Sequence, residues 1–108
     1  MTHESLIEAG YSSFKPNNGA NKFFQKRFYN EEGKIKYFLN IYYWDLSKYN
    51  EHCKPSYHAE AVMYDGSEET WWEFKLYGIT PDIPLHQVER KFEDMWRKMG
   101  FYIDRHNN

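Results

Sequence analysis

Lys34-Ile-Lys-Tyr-Phe-Leu-Asn-Ile-Tyr-Tyr-Trp44 is the stretch whose reading decides the fold. It contains no proline or glycine, and β-branched and aromatic residues fill it, which predicts a long central β-strand. Side chains alternate across a strand, so Ile35, Tyr37, Leu39, Ile41 and Tyr43 share one face. Lys36, Phe38, Asn40, Tyr42 and Trp44 share the other. The first face is nearly all apolar and needs a cover. The second mixes rings with polar groups, as a half-wet surface does.

Upstream, Phe23–Tyr29 predicts a strand, and Asn30-Glu-Glu-Gly-Lys34 a hairpin loop in which Gly33 takes the left-handed position. If Asn30 faces Lys34, a regular register sets Tyr29 opposite Ile35, Arg27 opposite Tyr37, Gln25 opposite Leu39 and Phe23 opposite Ile41. It also places Phe24, Lys26 and Phe28 beside Lys36, Phe38 and Asn40. Cations and rings then alternate over the second face, close enough for cation–π contact.

Further upstream, Thr2 can cap a short helix over His3–Ala9, stopped at Gly10. Lys15–Asn21 reads as a loop, with Pro16 and the turn pair Asn18-Gly19. Downstream, Asp45–Pro55 is a long polar connection. Ser56–Tyr64 alternates again, with Tyr57, Ala59, Ala61 and Met63 on one side, and Asp65–Glu69 is a turn. Thr70–Tyr77 gives a fourth strand, with Trp72, Phe74 and Leu76 facing one way. Gly78–Pro84 breaks the pattern, and Pro84 suits the first turn of a helix. Leu85, Val88, Phe92, Met95, Trp96 and Met99 then recur at helical spacing, and Gly100 is the expected stop, with Phe101–Ile103 as a short edge segment.

The expected fold is therefore α+β, a single domain over residues 1–108: a four-stranded antiparallel meander with a short N-terminal helix and a C-terminal amphipathic helix on one face (α-ββββ-α). Trp96 is expected to fill the space above Ala59 and Ala61.

Composition excludes several classes. The 108 residues are 41% hydrophobic and 28% charged, with net charge −2, so no general attraction to polyanions is expected. The single cysteine, Cys53, permits no internal disulfide and suggests a reducing compartment. No apolar run reaches the ~18 residues that span a bilayer. The first residues lack a basic start followed by an apolar run. A cytoplasmic protein with no membrane contact is expected.

Catalytic signals are sparse. His52-Cys53 with His58 and Glu60 has metal-ligand residue types but no zinc spacing, and no metal or other cofactor is expected. His58 and Glu60 project from one side of their strand, as a base oriented by a carboxylate would, or as two solvated residues would. No phosphate-cradling glycine loop, nucleophile elbow or HExxH is present. The expectation is a non-enzyme. A third reading sets His58, Glu60 and Tyr77 around a small pocket or enzyme site beneath the C-terminal helix.

The aromatic content of 20% points to binding. Phe24, Lys26, Phe28, Lys36, Phe38, Tyr42 and Trp44 are the candidate binding residues, a patch large enough to need an explanation. The N-terminal helix and the Lys15–Asn21 loop could cover it, or it, or a sheet edge, could dock a protein partner or a second copy. It could also stack single-stranded nucleic acid, as RRM-like sheets do. Charge favours protein: Lys22–Lys36 is basic, Glu60–Glu73 acidic, and a polyanion would be repelled by half the surface.

The order helix, strands, helix resembles a double-stranded RNA-binding domain. Those domains carry lysines at the start of the last helix, where this chain reads Pro84-Leu-His-Gln-Val-Glu89 without one lysine, so the comparison fails at the residues that matter. The aromatic hairpin from Phe28-Tyr29 to Tyr37-Phe38, with a closing helix of pattern Val88-x3-Phe92-x2-Met95-Trp96, resembles small uncharacterised phage-encoded proteins. That resemblance carries no site residues. It implies a protein that binds and blocks or redirects a host protein, host defence systems included.

Overall fold

The computed structural model describes residues 1–64 and 71–107, with side chains described for 1–64 and 72–99. The elements are α1 (His3–Glu8), β1 (Ser12–Phe14), β2 (Lys22–Tyr29), β3 (Ile35–Trp44), β4 (Ser56–Tyr64), β5 (Trp71–Ile79) and α2 (Leu85–Asn107). The α+β class is as expected. The sheet has five strands rather than four, in the order β1-β2-β3-β4-β5 with neighbours antiparallel. The extra strand, β1, has only three residues, too few for alternation to reveal it. The turn expected at Asp65–Glu69, and Thr70, lie outside the described residues.

Local chemistry sets the element ends. Thr2 closes a capping box on α1: its Oγ1 accepts from the Ser5 backbone at 3.0 Å, and the Ser5 Oγ accepts from the Thr2 backbone at 2.8 Å. In the β2–β3 hairpin Asn30 N–H donates to the Lys34 carbonyl at 2.8 Å, and Gly33 holds φ +81°. The Asn30 side chain also accepts from the backbones of Glu32 and Lys34, both at 2.9 Å.

The register then departs from the expectation. Tyr29 pairs with Ile35, but Phe28 pairs with Tyr37, so Lys36 is an extra residue in a β-bulge. Every earlier residue of β2 shifts by one place: Phe24 opposes Ile41, Lys26 opposes Leu39, and Gln25 opposes Asn40. The bulge thus turns Phe24, Lys26 and Phe28 onto the covered face. Energetics favour it, since a regular register would bury Gln25 and Arg27, and an unpaired buried polar group costs several kcal/mol. With the bulge, Phe24 is buried and Phe28 stacks on Tyr37 at 4.8 Å. Lys26 lays its stem along the sheet and donates to the Ala9 carbonyl at 2.6 Å.

A second bulge lies in β5, where Leu76 opposes Ala59 but Ile79 opposes Tyr57. Gly78, at φ +65°, makes the extra turn and returns Ile79 to the core, so β5 runs past Tyr77, where the strand was expected to end. Helix α2 likewise runs through Gly100 to Asn107, correcting the expected stop and edge segment. One glycine costs a helix only about 1 kcal/mol, too little to end it between helix-compatible neighbours.

Both helices cover one face. Leu6 of α1 and Phe92 of α2 are fully buried with Leu39, Ile41, Ala59 and Ala61. Phe92, not Trp96, is therefore the helix ring sunk into the core. Trp96 is half-buried, with the Lys36 ammonium 4.9 Å from its ring and the hairpin residues Tyr29–Glu32 beside it. His3 also packs downward, its ring 4.6 Å from Tyr43, with Nδ1 3.1 Å from the Tyr57 hydroxyl.

Polar contacts clamp α2 at the β2–β3 side of this face. The Lys36 ammonium donates to Glu93 at 2.7 Å, the Tyr37 hydroxyl donates to it at 2.8 Å, and Tyr11 donates to Glu89 at 3.3 Å. Burial pushes the Glu93 carboxyl up, but hydrogen bonds from Lys36 and Tyr37, with the charges of Lys36 and Arg97, together hold it below its usual range. Burial first, and then Glu93, pushes the Tyr37 hydroxyl well above its ordinary value.

Candidate functional site

The opposite face of the sheet carries neither helix, and the bulge at Lys36 decides which side chains it presents. Phe14, Phe23, Tyr42, His58 and Tyr77 form a row that crosses all five strands. Neighbouring centroids lie 5.7, 4.6, 6.0 and 4.1 Å apart in that order, and Phe23 and Tyr42 stack nearly parallel at 9°. These are favourable aromatic spacings. The ends are the wettest, with Phe14 49% and Tyr77 67% exposed, while the three central rings are half-buried by their neighbours.

A polar row runs beside it. The Gln25 amide donates to Asn40 Oδ1 at 2.8 Å, and the Asn40 amide donates to Glu60 Oε1 at 3.2 Å. The Tyr42 hydroxyl donates to the same Glu60 oxygen at 3.3 Å, joining the two rows. Burial first, and then Glu60, raises the Tyr42 hydroxyl to about 12. A third row sets the Arg27 guanidinium 5.5 Å from the Phe38 ring, with Val62 and Glu73 across from it.

No family model, no curated protein and no solved structure matches this chain.

What this face does must be read from its own residues. Of the seven side chains expected to form one patch, Phe38, Tyr42 and Trp44 do lie on this face. The other four do not. Phe24 is buried, Phe28 packs on Tyr37, Lys26 bonds the end of α1, and Lys36 is ion-paired to Glu93. The anticipated interleaving of rings with lysines is therefore lost to the covered face. The expectation of an N-terminal cover over the second face is corrected in part. Helix α1 goes to the other side, and only the β1–β2 loop reaches over, where a Cβ on Gly19 would lie 3.7 Å from the Trp44 ring.

Sequence reasoning missed Phe14, Phe23, Gln25 and Arg27 as members of the open face. The signal present in the sequence was the cost of burying Gln25 and Arg27, which a bulge avoids.

The grouping of His58, Glu60 and Tyr77 beneath α2 is also corrected: Glu60 and Tyr77 share the open face with His58, outside the helix layer. Glu60 accepts from Asn40 and Tyr42, and His58 Nε2 makes no hydrogen bond among the described residues. The carboxylate thus does not orient the imidazole as a catalytic dyad requires. Burial lowers the His58 pKa, opposed by Glu60 and assisted by Lys75, which keeps the ring neutral and ring-like at neutral pH. Among the described residues, no three His, Cys, Asp or Glu side chains converge as metal ligands, and no helix is long and apolar enough to cross a membrane.

Proposed function

We propose that this protein is a non-enzymatic binding module that docks a protein partner on its open sheet face. The observation that carries this reading is the five-ring row from Phe14 to Tyr77, with a hydrogen-bonded polar row alongside. Protein interfaces favour Tyr, Phe and Arg as anchors beside polar groups whose hydrogen bonds are already satisfied. The charges on the face are mixed: Arg27 and Lys75 against Glu60 and Glu73. That mixture suits an orienting protein contact. On the resemblance to small phage-encoded proteins, the partner we propose is a host protein.

The alternative, single-stranded nucleic acid stacked on the same rings, needs cations near them to hold phosphates. Lys26 and Lys36, the cations expected there, are engaged on the covered face, and the two that remain on the open face, Arg27 and Lys75, are offset by Glu60 and Glu73.

The test compares capture from a host lysate by the wild type, by Phe14→Ser/Tyr77→Ser, and by Ile7→Ser on the exposed side of α1. The same partner should be retained by wild type and Ile7→Ser and lost by the open-face variant, all three giving the same circular dichroism. Equal capture by all three would refute docking on this face. Binding of short oligonucleotides at low salt, abolished by the open-face variant, would favour the alternative.

A further inference from the structure

The sheet ends at β5, a nine-residue strand whose outer edge is unpaired among the described residues. The opposite edge, β1, has only three residues. Strand β5 is also incompletely covered from above. Its Trp72, Phe74 and Leu76 are half-buried, whereas Met63, Ala61 and Ala59, their partners on β4, are at most 2% exposed. The clamp between α2 and Lys36, Tyr37 and Tyr11 draws the helix toward the far side of the sheet. A long edge with half-exposed apolar residues is a template for another strand.

We infer that β5 pairs with β5 of a second copy, antiparallel about a two-fold axis through Phe74, to make a continuous ten-stranded sheet. The strand's own sequence selects the occupant and the register. Residues directly opposite in a sheet point to the same face, so a two-fold axis perpendicular to the sheet passes through a residue rather than between two. An axis through Phe74 sets Glu73 of each copy against Lys75 of the other and Trp72 against Leu76. An axis through Glu73 or Lys75 would set like charge against like. One through Trp72 or Leu76 would pair neither charge with an opposite within β5. Glu73 and Lys75 are exposed and in no ion pair among the described residues, so both are available. The contact is isologous and closes at two copies. It is distinct from docking on the open face, since it uses backbone groups along the edge.

Analytical ultracentrifugation of four samples tests it: the wild type, Glu73→Lys, Lys75→Glu, and an equal mixture of the two variants. The wild type should sediment as a concentration-dependent dimer. Each variant alone sets like charges together at two symmetric places and should dimerise about tenfold or more weakly. In the mixture, both cross-strand pairs become attractive, and dimerisation should recover. Should Lys75→Glu fold poorly against Glu60, a Glu73→Cys chain mixed with a Lys75→Cys chain, both with Cys53→Ser, reads the same register. A disulfide should form between the two chains and in neither alone. A monomeric wild type, single variants that dimerise as the wild type does, a mixture without recovery, or absence of the mixed disulfide would each overturn the inference. Because Tyr77, Glu73 and Lys75 lie on β5 and also on the open face, a Phe14→Ser chain on the far strand β1 separates the two readings. It should dimerise as the wild type does while losing the docked partner. Loss of dimerisation in the charge variants, with docking judged by Phe14→Ser, leaves the docking reading to stand or fall by itself.

Discussion

Replacing Phe92 with alanine should be among the most damaging single changes in the chain, and more damaging than replacing the larger Trp96. Phe92 is 0% exposed and belongs to the cluster that contains Leu39, Ile41, Ala59 and Ala61. A buried aromatic side chain removes roughly 150–250 Å² from water, which at about 25 cal/mol per Å² is roughly 4–6 kcal/mol gross. Alanine keeps part of that burial, and the sheet beneath, already floored by two alanines, has little to collapse into the hole. A net loss of about 3–5 kcal/mol follows. Trp96 is half-buried and held by Lys36 over its ring, so Trp96→Ala removes less area and opens no enclosed cavity. Its loss should be about half as large. Urea denaturation followed by circular dichroism, with matched slopes for the two variants, gives both numbers. A loss for Trp96→Ala equal to or greater than that for Phe92→Ala would refute this packing of α2.

Lys36→Ala removes the ammonium that donates to Glu93 and should cost about 2 kcal/mol in the same assay, with Glu93→Gln largely relieving the cost. The depressed carboxyl of Glu93 also sets an acid limit. Its contribution is fully present above the ordinary value of 4.5 and is lost as pH falls through the lower folded value. Stability measured downward from pH 6 should therefore decline more steeply in wild type than in Glu93→Gln. Tyr42, raised to about 12, works in the other direction: its stabilisation is complete below its ordinary value of 10.0 and lost as pH rises through 12. Absorbance titration should show it ionising later in wild type than in a Glu60→Gln variant. Gly33→Ala meets open space but a φ of +81°, so backbone strain alone should cost about 1 kcal/mol.

The central strand was legible because its pattern is long: the stretch Lys34–Trp44 forms β3 from Ile35 to Trp44, its alternation interrupted at the Lys36 bulge alone. The hairpin was equally plain, since Asn30 and Gly33 carry its turn chemistry locally. What the pattern missed is non-local. A single extra residue, Lys36, reverses the faces of β2, and only a comparison of what each register buries could reveal it. The same holds for Gly78, where the sequence shows a strand breaker and the fold uses a bulge. On the helix, Trp96 drew attention by size, but Phe92 lies deeper because the Lys36–Glu93 clamp fixes how α2 is rotated. The candidate face was thus recognised on β3 and β4 and inverted on β2, which moved two lysines from the open surface to the covered one.

Which side of β2 meets solvent therefore governs the whole functional reading, and residue-resolved hydroxyl-radical footprinting of the free protein measures it directly. Phe14, Phe23 and Tyr77 should be oxidised readily, with Phe24, Tyr37 and Phe92 protected. Ready oxidation of Phe24 and Phe28 with Phe23 protected would contradict the bulged register and the docking face built on it.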